Sequence, residues 1–442
     1  MKAKLIPLYF PSRDKQFDTQ IKFLSKVLSE NAEILPELPL GADIPEDADA
    51  VLFPQILGDA YDMHDEFKKI RKLGYSILVI TSQFGTFSMW DWEINNFMKS
   101  KDIELIMPYN LGQAITLCRA LSVKREMKQT KFRVYQDNPG EGMQPEIFKC
   151  FYWWGDECTD TIRERFGVEI EKKSWRQLAG EAKNIPDTEA AEEWKKWDFP
   201  VAGLTDKALL SAVKLFLAIE RDMDDASIGG MGINCLNESS YSDTTPCLAW
   251  NMLYEKYGMI WACEGDTLTL TTKYILHKVL GSPIMMTNIY PFLMGDAATK
   301  HEKIPGFPEF VKDPDDHVLL AHCGYFGLVP RSFCSSWVCK PPVLGIVDDN
   351  AHMFDARYPE GPLTLAKLDS TMTKMMVSEG ELEGYVQYDE SSDCRNGGIL
   401  KINDGHEFMK KVYSHHLLFM TGHQRKDIEL IGSVFDLELD IL

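Results

Sequence analysis

Three groups of residues in this chain have the types and spacing for chemistry. Glu238 follows the apolar segment "ASIGGMGINCL", inside "NESS". Glu264 and Asp266 stand two residues apart in "IWACEGDTLTL", between an apolar segment and a helical pattern. The third group is histidine: His322 in "LLAHCG", and the adjacent His415 and His416 in "YSHHLLFMTG". Carboxylate oxygens with imidazole nitrogens suit Mn²⁺, Mg²⁺, Fe²⁺ or Co²⁺ and need no cysteine. Taken singly, each residue has a plainer role. Asp266 fits a helix N-cap, Glu238 a surface acid, and His322 a hydrogen-bonded core histidine. Their joint occurrence argues for a site, because two consecutive strands end in acids and two later strands carry histidines. Glu264 and Asp266 share strand parity, so an extended chain there would turn both to one side. By the same alternation, one of His415 and His416 faces an interior.

Other chemistries lack their signatures. There is no HExxH or CxxC spacing, no GxxxxGK[ST] phosphate loop and no GxSxG elbow. "IGGMGIN" is glycine-rich but has no helical pattern directly behind it. Cys263 and Cys323 neighbour the acids and a histidine, yet thiols in apolar packing are ordinarily inert.

The elements around these residues fall into three blocks. Residues 1–130 alternate apolar strands such as "AKLIPLYF", "DAVLFPQI" and "YSILVITS" with amphipathic helices such as "DTQIKFLSKVLSEN". That predicts a parallel sheet covered on both faces, a doubly wound domain. Residues 131–300 repeat the pattern and carry the carboxylates; "PIMMTNIY" reads as the last strand of this block, and "TEAAEEWKKW" as a charged helical insertion. From 301 to 442 short alternating segments separated by Gly and Pro predict an antiparallel β-barrel-like domain, with the His416 strand and a terminal helix. The expected fold class is thus α/β: two doubly wound parallel-sheet domains followed by an antiparallel β-barrel-like domain. Ligands of such parallel sheets bind beyond the carboxyl ends of the strands.

Composition bounds the function. The chain has 442 residues, 45% hydrophobic and 26% charged, with a net charge of -20. That balance argues against nucleic acid as a partner, since phosphate contacts need a positive footprint. Ten cysteines without a tight framework point to reduced thiols. The apolar run near the N-terminus is too short for a signal peptide, and no run approaches the ~18 residues of a membrane span. A cytoplasmic protein with no membrane partner is expected.

At this point the residues resemble a known family. "PCLAWNMLYEKYGMIWACEGDTLTLTTKYILHKVLGSPIMMTN" looks like the core of the L-fucose isomerase and L-arabinose isomerase superfamily, with its small-CE-x-D strand end, helix and following strand. "EGPLTLAKL" resembles the family's "GxxTLARL", and "SHHLLFMTG" followed by a helix and the chain end resembles its C-terminal segment. The likeness covers residues 226–442 and is weaker over 1–225. It implies two doubly wound domains plus a β domain, a divalent metal, commonly Mn²⁺, and aldose–ketose isomerisation. It also implies a homo-oligomer, a trimer or hexamer, whose sites are completed by a neighbour's N-terminal domain. By position, Glu238, Asp266 and His416 match the metal ligands, with Glu238 and Asp266 also the catalytic acid and base. His322 matches a histidine that is a ligand in the arabinose branch, and here it is placed with Glu264 among the sugar contacts. "TLTL" after Asp266 departs from the family's "xNGA".

Two polar loops of the first block, carrying Arg13 and then Gln83, Trp90 and Trp92, are the expected sugar contacts offered to a neighbour. Arg13 and Lys15 stand out in an acidic chain, which makes an anionic sugar such as sulfoquinovose, converted to sulfofructose, a candidate substrate. The competing expectations are a non-catalytic sugar-binding protein on the same scaffold and a metal-assisted hydrolase or lyase.

Overall fold

The computed structural model describes residues 1–13, 15–55, 57–83, 89–137, 146, 154–236, 239–290, 306–323, 325–327, 329–341, 350–387 and 396–442. The chain divides into two compact units, one of residues 1–128, 278–281 and 426–437, the other of 129–277, 282–425 and 438–442. Sheets of both parallel and antiparallel kind are present, so the chain is a mixed α/β protein.

The first unit holds a parallel sheet of strands β1 (Ala3–Tyr9), β2 (Ala32–Ile34), β3 (Leu38–Pro39), β4 (Ala50–Phe53) and β5 (Ser76–Val79), with β1 pairing β2, β3 and β4, and β4 pairing β5. All four residues of β4 and of β5 are buried. This is why these segments read as continuous apolar runs: crossover helices shield both faces. Phe53 and Phe67, the latter on the helix His64–Lys72, stack with ring centroids 4.7 Å apart in this core. The apolar segment "IELIMPY" adds a single parallel bridge, Ile106 to Leu78.

The second unit opens with a four-stranded parallel sheet, β6 (Lys131–Tyr135), β7 (Glu169–Lys173), β8 (Ile228–Ile233) and β9 (Ile260–Ala262), in the order β7-β6-β8-β9. The charged insertion forms the helix Asp187–Trp194, and its Glu193 is buried, accepting from Trp197 Nε1 at 3.0 Å.

The remaining strands are β10 (Ile284–Tyr290), β11 (His317–Ala321), β12 (Ser336–Lys340), β13 (Met353–Arg357), β14 (Gly361–Leu368), β15 (Lys374–Val386), β16 (Gly397–Ile402), β17 (His416–Thr421) and β18 (Glu438–Ile441). Six of them run β14-β17-β10-β11-β16-β15, and β15 pairs back to β14, so the antiparallel sheet closes into a barrel. Closure removes the sheet edges that would otherwise have to be covered. The long β15 also takes β18 as a parallel neighbour, and β12 pairs with β13 as a separate ribbon.

β10 departs from the sequence expectation in its sheet. β10 was expected to end the second parallel sheet, and it lies inside the barrel, antiparallel to both β11 and β17. Residues 284–289 are all buried. A strand packed on both faces has the same apolar signature in a barrel as in a parallel sheet, so periodicity could not separate the two. The helix Arg425–Phe435, expected with the C-terminal β domain, groups with the first unit over residues 426–437. Among the described residues no helix is long and apolar enough to cross a membrane.

Candidate metal centre

β9 ends at Ala262, and the chain turns sharply through Cys263, Glu264 and Gly265 before the helix Thr267–Leu280. Glu264 has φ +58 and Gly265 φ +70, two consecutive left-handed residues. Gly tolerates that region; a glutamate there is strained, and such strain is concentrated at functional sites. The turn also needs room. A Cβ on Gly265 would lie 3.0 Å from Trp154 Cε3, and one on Gly232, near the end of β8, would lie 3.2 Å from Gly265 Cα. The two glycines let the turn press against the sheet's carboxyl end. The common strand parity expected for Glu264 and Asp266 does not apply, because the strand stops before either residue.

Asp266 is the N-cap of the helix and also a partner of His416. Its Oδ1 accepts from the Thr269 backbone N–H at 2.6 Å, and its Oδ2 lies 2.9 Å from His416 Nδ1. Thr269 Oγ1 donates to the same Oδ2 at 2.6 Å. Lys367, on β14, places Nζ 3.3 Å from Asp266 Oδ2 and donates to Thr269 Oγ1. The side chains of Lys367 and Asp266 are both wholly buried.

His416 opens β17 and is fully buried, while His415 before it is exposed. With Asp266 on Nδ1, the other nitrogen, Nε2, lies 3.6 Å from Glu264 Oε1. His322 comes to the same place, its ring centroid 6.3 Å from that of His416. Register alone would not put it there. His416 faces Asn288, and Asn288 faces Ala321, so the residue after Ala321 would point away in a continuing strand. β11 ends at Ala321, however. His322 and Tyr325 bond reciprocally across a tight turn, with Cys323 at φ +50, and alternation is lost.

Glu264, His322 and His416 can each offer one ligand atom, and these atoms all lie within 4.8 Å of one another. Glu264 Oε2 and both ring nitrogens of His322 are buried without a hydrogen-bond partner among the described residues. Buried polar groups ordinarily have partners, so such a cluster marks a place for an ion or water. One glutamate and two histidines form a donor set that suits a divalent transition metal with open coordination positions.

The electrostatics follow from this geometry, and a cation at the site would replace the proton that His416 otherwise holds on Nε2. Burial opposes ionisation of Glu264, and the neighbouring His416 outweighs it, holding the carboxyl below its usual value. For Asp266, burial is likewise outweighed, here by Lys367 and His416. Burial disfavours the charged form of His416, and the two carboxylates raise its pKa to about 9 all the same. Burial pushes His322 down to about 4, so that ring is neutral and its lone pair available. Burial also holds Lys367 below its usual value despite Asp266 beside it.

The other expected site residues are placed as follows. Glu238 lies outside the described residues. Arg13, Gln83, Trp90 and Trp92 belong to the first unit, whereas Glu264, Asp266, His322 and His416 belong to the second. Arg13 is committed to Asp18 and to Glu37, the latter at 2.7 Å. Trp90 and Trp92 are 65% and 60% exposed. Two residues of the cluster were not foreseen, Thr269 and Lys367. Lys367 had a readable signal: in "GPLTLAKL" it takes the parity of Leu363 and Leu365, an inward position for a lysine.

No family model matches the chain, and no curated protein matches it in sequence.

Proposed function

We propose that this protein is a metal-dependent aldose–ketose isomerase, with the cation held by Glu264, His322 and His416. The observation that carries the reading is the buried cluster of these three donors at the carboxyl end of β9, where parallel sheets of α/β proteins take their ligands. Asp266 is read as the carboxylate that orients His416 and not as a ligand, because Lys367 already supplies a positive charge at its Oδ2. The doubly wound character of the two parallel sheets belongs to the same reading, as do a homo-oligomer with shared sites, a cytoplasmic setting and Mn²⁺ as the metal.

The chemistry fits the residues. Moving a carbonyl from C1 to C2 of a sugar requires removal of a C–H proton beside it and return of a proton to the neighbouring carbon. A bound divalent cation supplies Lewis acidity toward the sugar oxygens. Glu264 directs one carboxylate oxygen toward His416 and keeps the other without a protein partner among the described residues. A carboxylate so placed can hold a ligand or a proton within hydrogen-bond reach of substrate. Asp266 keeps Nδ1 of His416 engaged, so Nε2 is the nitrogen turned to the site. Glu238, the residue before the Ser239–Tyr241 turn that follows β8, is the remaining carboxylate proposed for proton transfer. Burial of the donors excludes bulk water and strengthens every electrostatic contact in the site.

The experiment is to strip divalent metals with a chelator and add Mn²⁺ back. Neutral, phosphorylated and sulfonated aldoses are then screened for ketose formation. Turnover that is lost with the metal and restored by it is the expected result. Metal-independent turnover, or none with any aldose, would overturn the reading.

A further inference from the structure

Among the described residues Lys367 is the lysine that joins the cluster around His416, through Asp266, and its placement is costly. A buried ammonium loses its hydration, and an apolar residue at the same strand position would pack without that loss. Its parity on β14 is that of Leu363 and Leu365. The amine meets Asp266 Oδ2 at 3.3 Å and donates to Thr269 Oγ1, whose own hydroxyl donates to that Oδ2. Oδ1 is fixed by the Thr269 backbone N–H. Both oxygens of Asp266 are thereby pinned, and Oδ2 is aimed at His416 Nδ1, 2.9 Å away. Orienting partners of this kind ordinarily determine which ring nitrogen of a histidine faces a metal and how the ring is turned.

We infer that Lys367 is a positioning residue for the metal centre, acting through Asp266 to fix the ring of His416 with Nε2 toward Glu264 and His322. The inference rests on the proposed role of His416 as a ligand, and it makes a claim about hydrogen bonding that stands without any metal. The polar contacts of Lys367 run to Asp266 and Thr269. Its effect is to hold Asp266 in one orientation, which holds one imidazole in one orientation.

Two measurements test it together. In protein selectively labelled with ¹⁵N-histidine, the hydrogen-bonded Nδ1–H of His416 gives a downfield proton resonance, assigned by its loss in His416→Gln. Lys367→Met is expected to abolish that signal through exchange or to move it upfield, with the other histidine resonances unchanged. An unaltered signal would overturn the inference. In parallel, Co²⁺ binding is followed by its visible absorption. Lys367→Met is expected to bind about 10- to 100-fold more weakly, and Lys367→Met with Asp266→Asn no more weakly than Asp266→Asn alone. Additive losses would mean that Lys367 acts by another route, contradicting the inference. The double variant also removes both halves of the buried ion pair, which guards against unfolding of the single one. If the parent protein binds no Co²⁺, the metal reading fails, while the proton resonance still decides the positioning role.

Discussion

Asp266 Oδ2 sits 2.9 Å from His416 Nδ1, across 150 residues of sequence. The contact ties the first turn of a helix in the α/β part of the second unit to the first residue of a barrel strand. Asp266 serves two oxygens to two tasks, capping the helix Thr267–Leu280 and orienting the imidazole.

The two tasks separate by substitution. Asp266→Asn keeps a carbonyl oxygen for the cap and loses the charge. Both variants leave Lys367 buried beside no anion, a loss of about 3–5 kcal/mol, and Asp266→Ala also loses the cap, worth about 0.5–2 kcal/mol. The urea midpoint is therefore expected to fall for both variants, and further for Asp266→Ala by the cap alone. Equal midpoints for the two variants would show that the cap does not contribute as described, and a midpoint of Asp266→Asn equal to the parent's that the ion pair does not.

The turn at 263–265 should resist substitution at Gly265. Gly265→Ala forces a Cβ to within 3.0 Å of Trp154 Cε3 at φ +70. The left-handed backbone alone costs about 1–2 kcal/mol for a residue with a Cβ, and the clash adds to it. Thermal unfolding should shift down by several degrees, together with loss of metal binding. An unchanged melting temperature would mean that the turn is looser than described.

Glu264 should show the opposite balance. Its φ of +58 is strained for glutamate and acceptable for asparagine. Glu264→Asn is expected to match or exceed the parent in stability by up to about 1 kcal/mol and to lose metal binding. Destabilisation with metal binding intact would place Glu264 in the packing and outside the site.

A pH dependence of stability follows from His352. Its ring is fully buried, Nε2 accepts from the Leu248 N–H at 2.7 Å, and Nδ1 therefore carries the proton and donates to Thr244 Oγ1 at 3.1 Å. Burial lowers its pKa from 6.5 to about 3. Between those values the unfolded chain binds a proton that the folded chain does not, so stability falls as pH drops through the window. The slope from one such group approaches about 1.4 kcal/mol per pH unit. In urea unfolding from pH 7 to pH 4, His352→Gln should be less stable at pH 7 and show a shallower decline. Parallel curves for the two proteins would refute the assignment.

Much of this arrangement was legible in the sequence where periodicity and apolar runs determine it. Strands β1, β4 and β5 were readable as apolar runs and the barrel strands β14 to β17 as short segments bounded by turn residues, while alternation said only that one of His415 and His416 faces inward and left the choice between them open. β10 was misplaced because burial on both faces erases the difference between a barrel and a parallel sheet. The meeting of Glu264, His322 and His416 was not legible. It depends on two turns that break alternation, at Glu264 and at Cys323, both with positive φ on residues that rarely adopt it. Lys367 contacts Asp266 from 101 positions away, a distance over which spacing carries no information.

The most direct test of the central claim is a Co²⁺ titration of metal-stripped protein, read by visible absorption, for the parent chain and for His322→Gln. The account predicts one equivalent bound per chain by the parent, with an absorption spectrum of mixed nitrogen and oxygen ligation, and binding weakened at least tenfold in His322→Gln. No stoichiometric binding by the parent, or an identical titration for the variant, would contradict it.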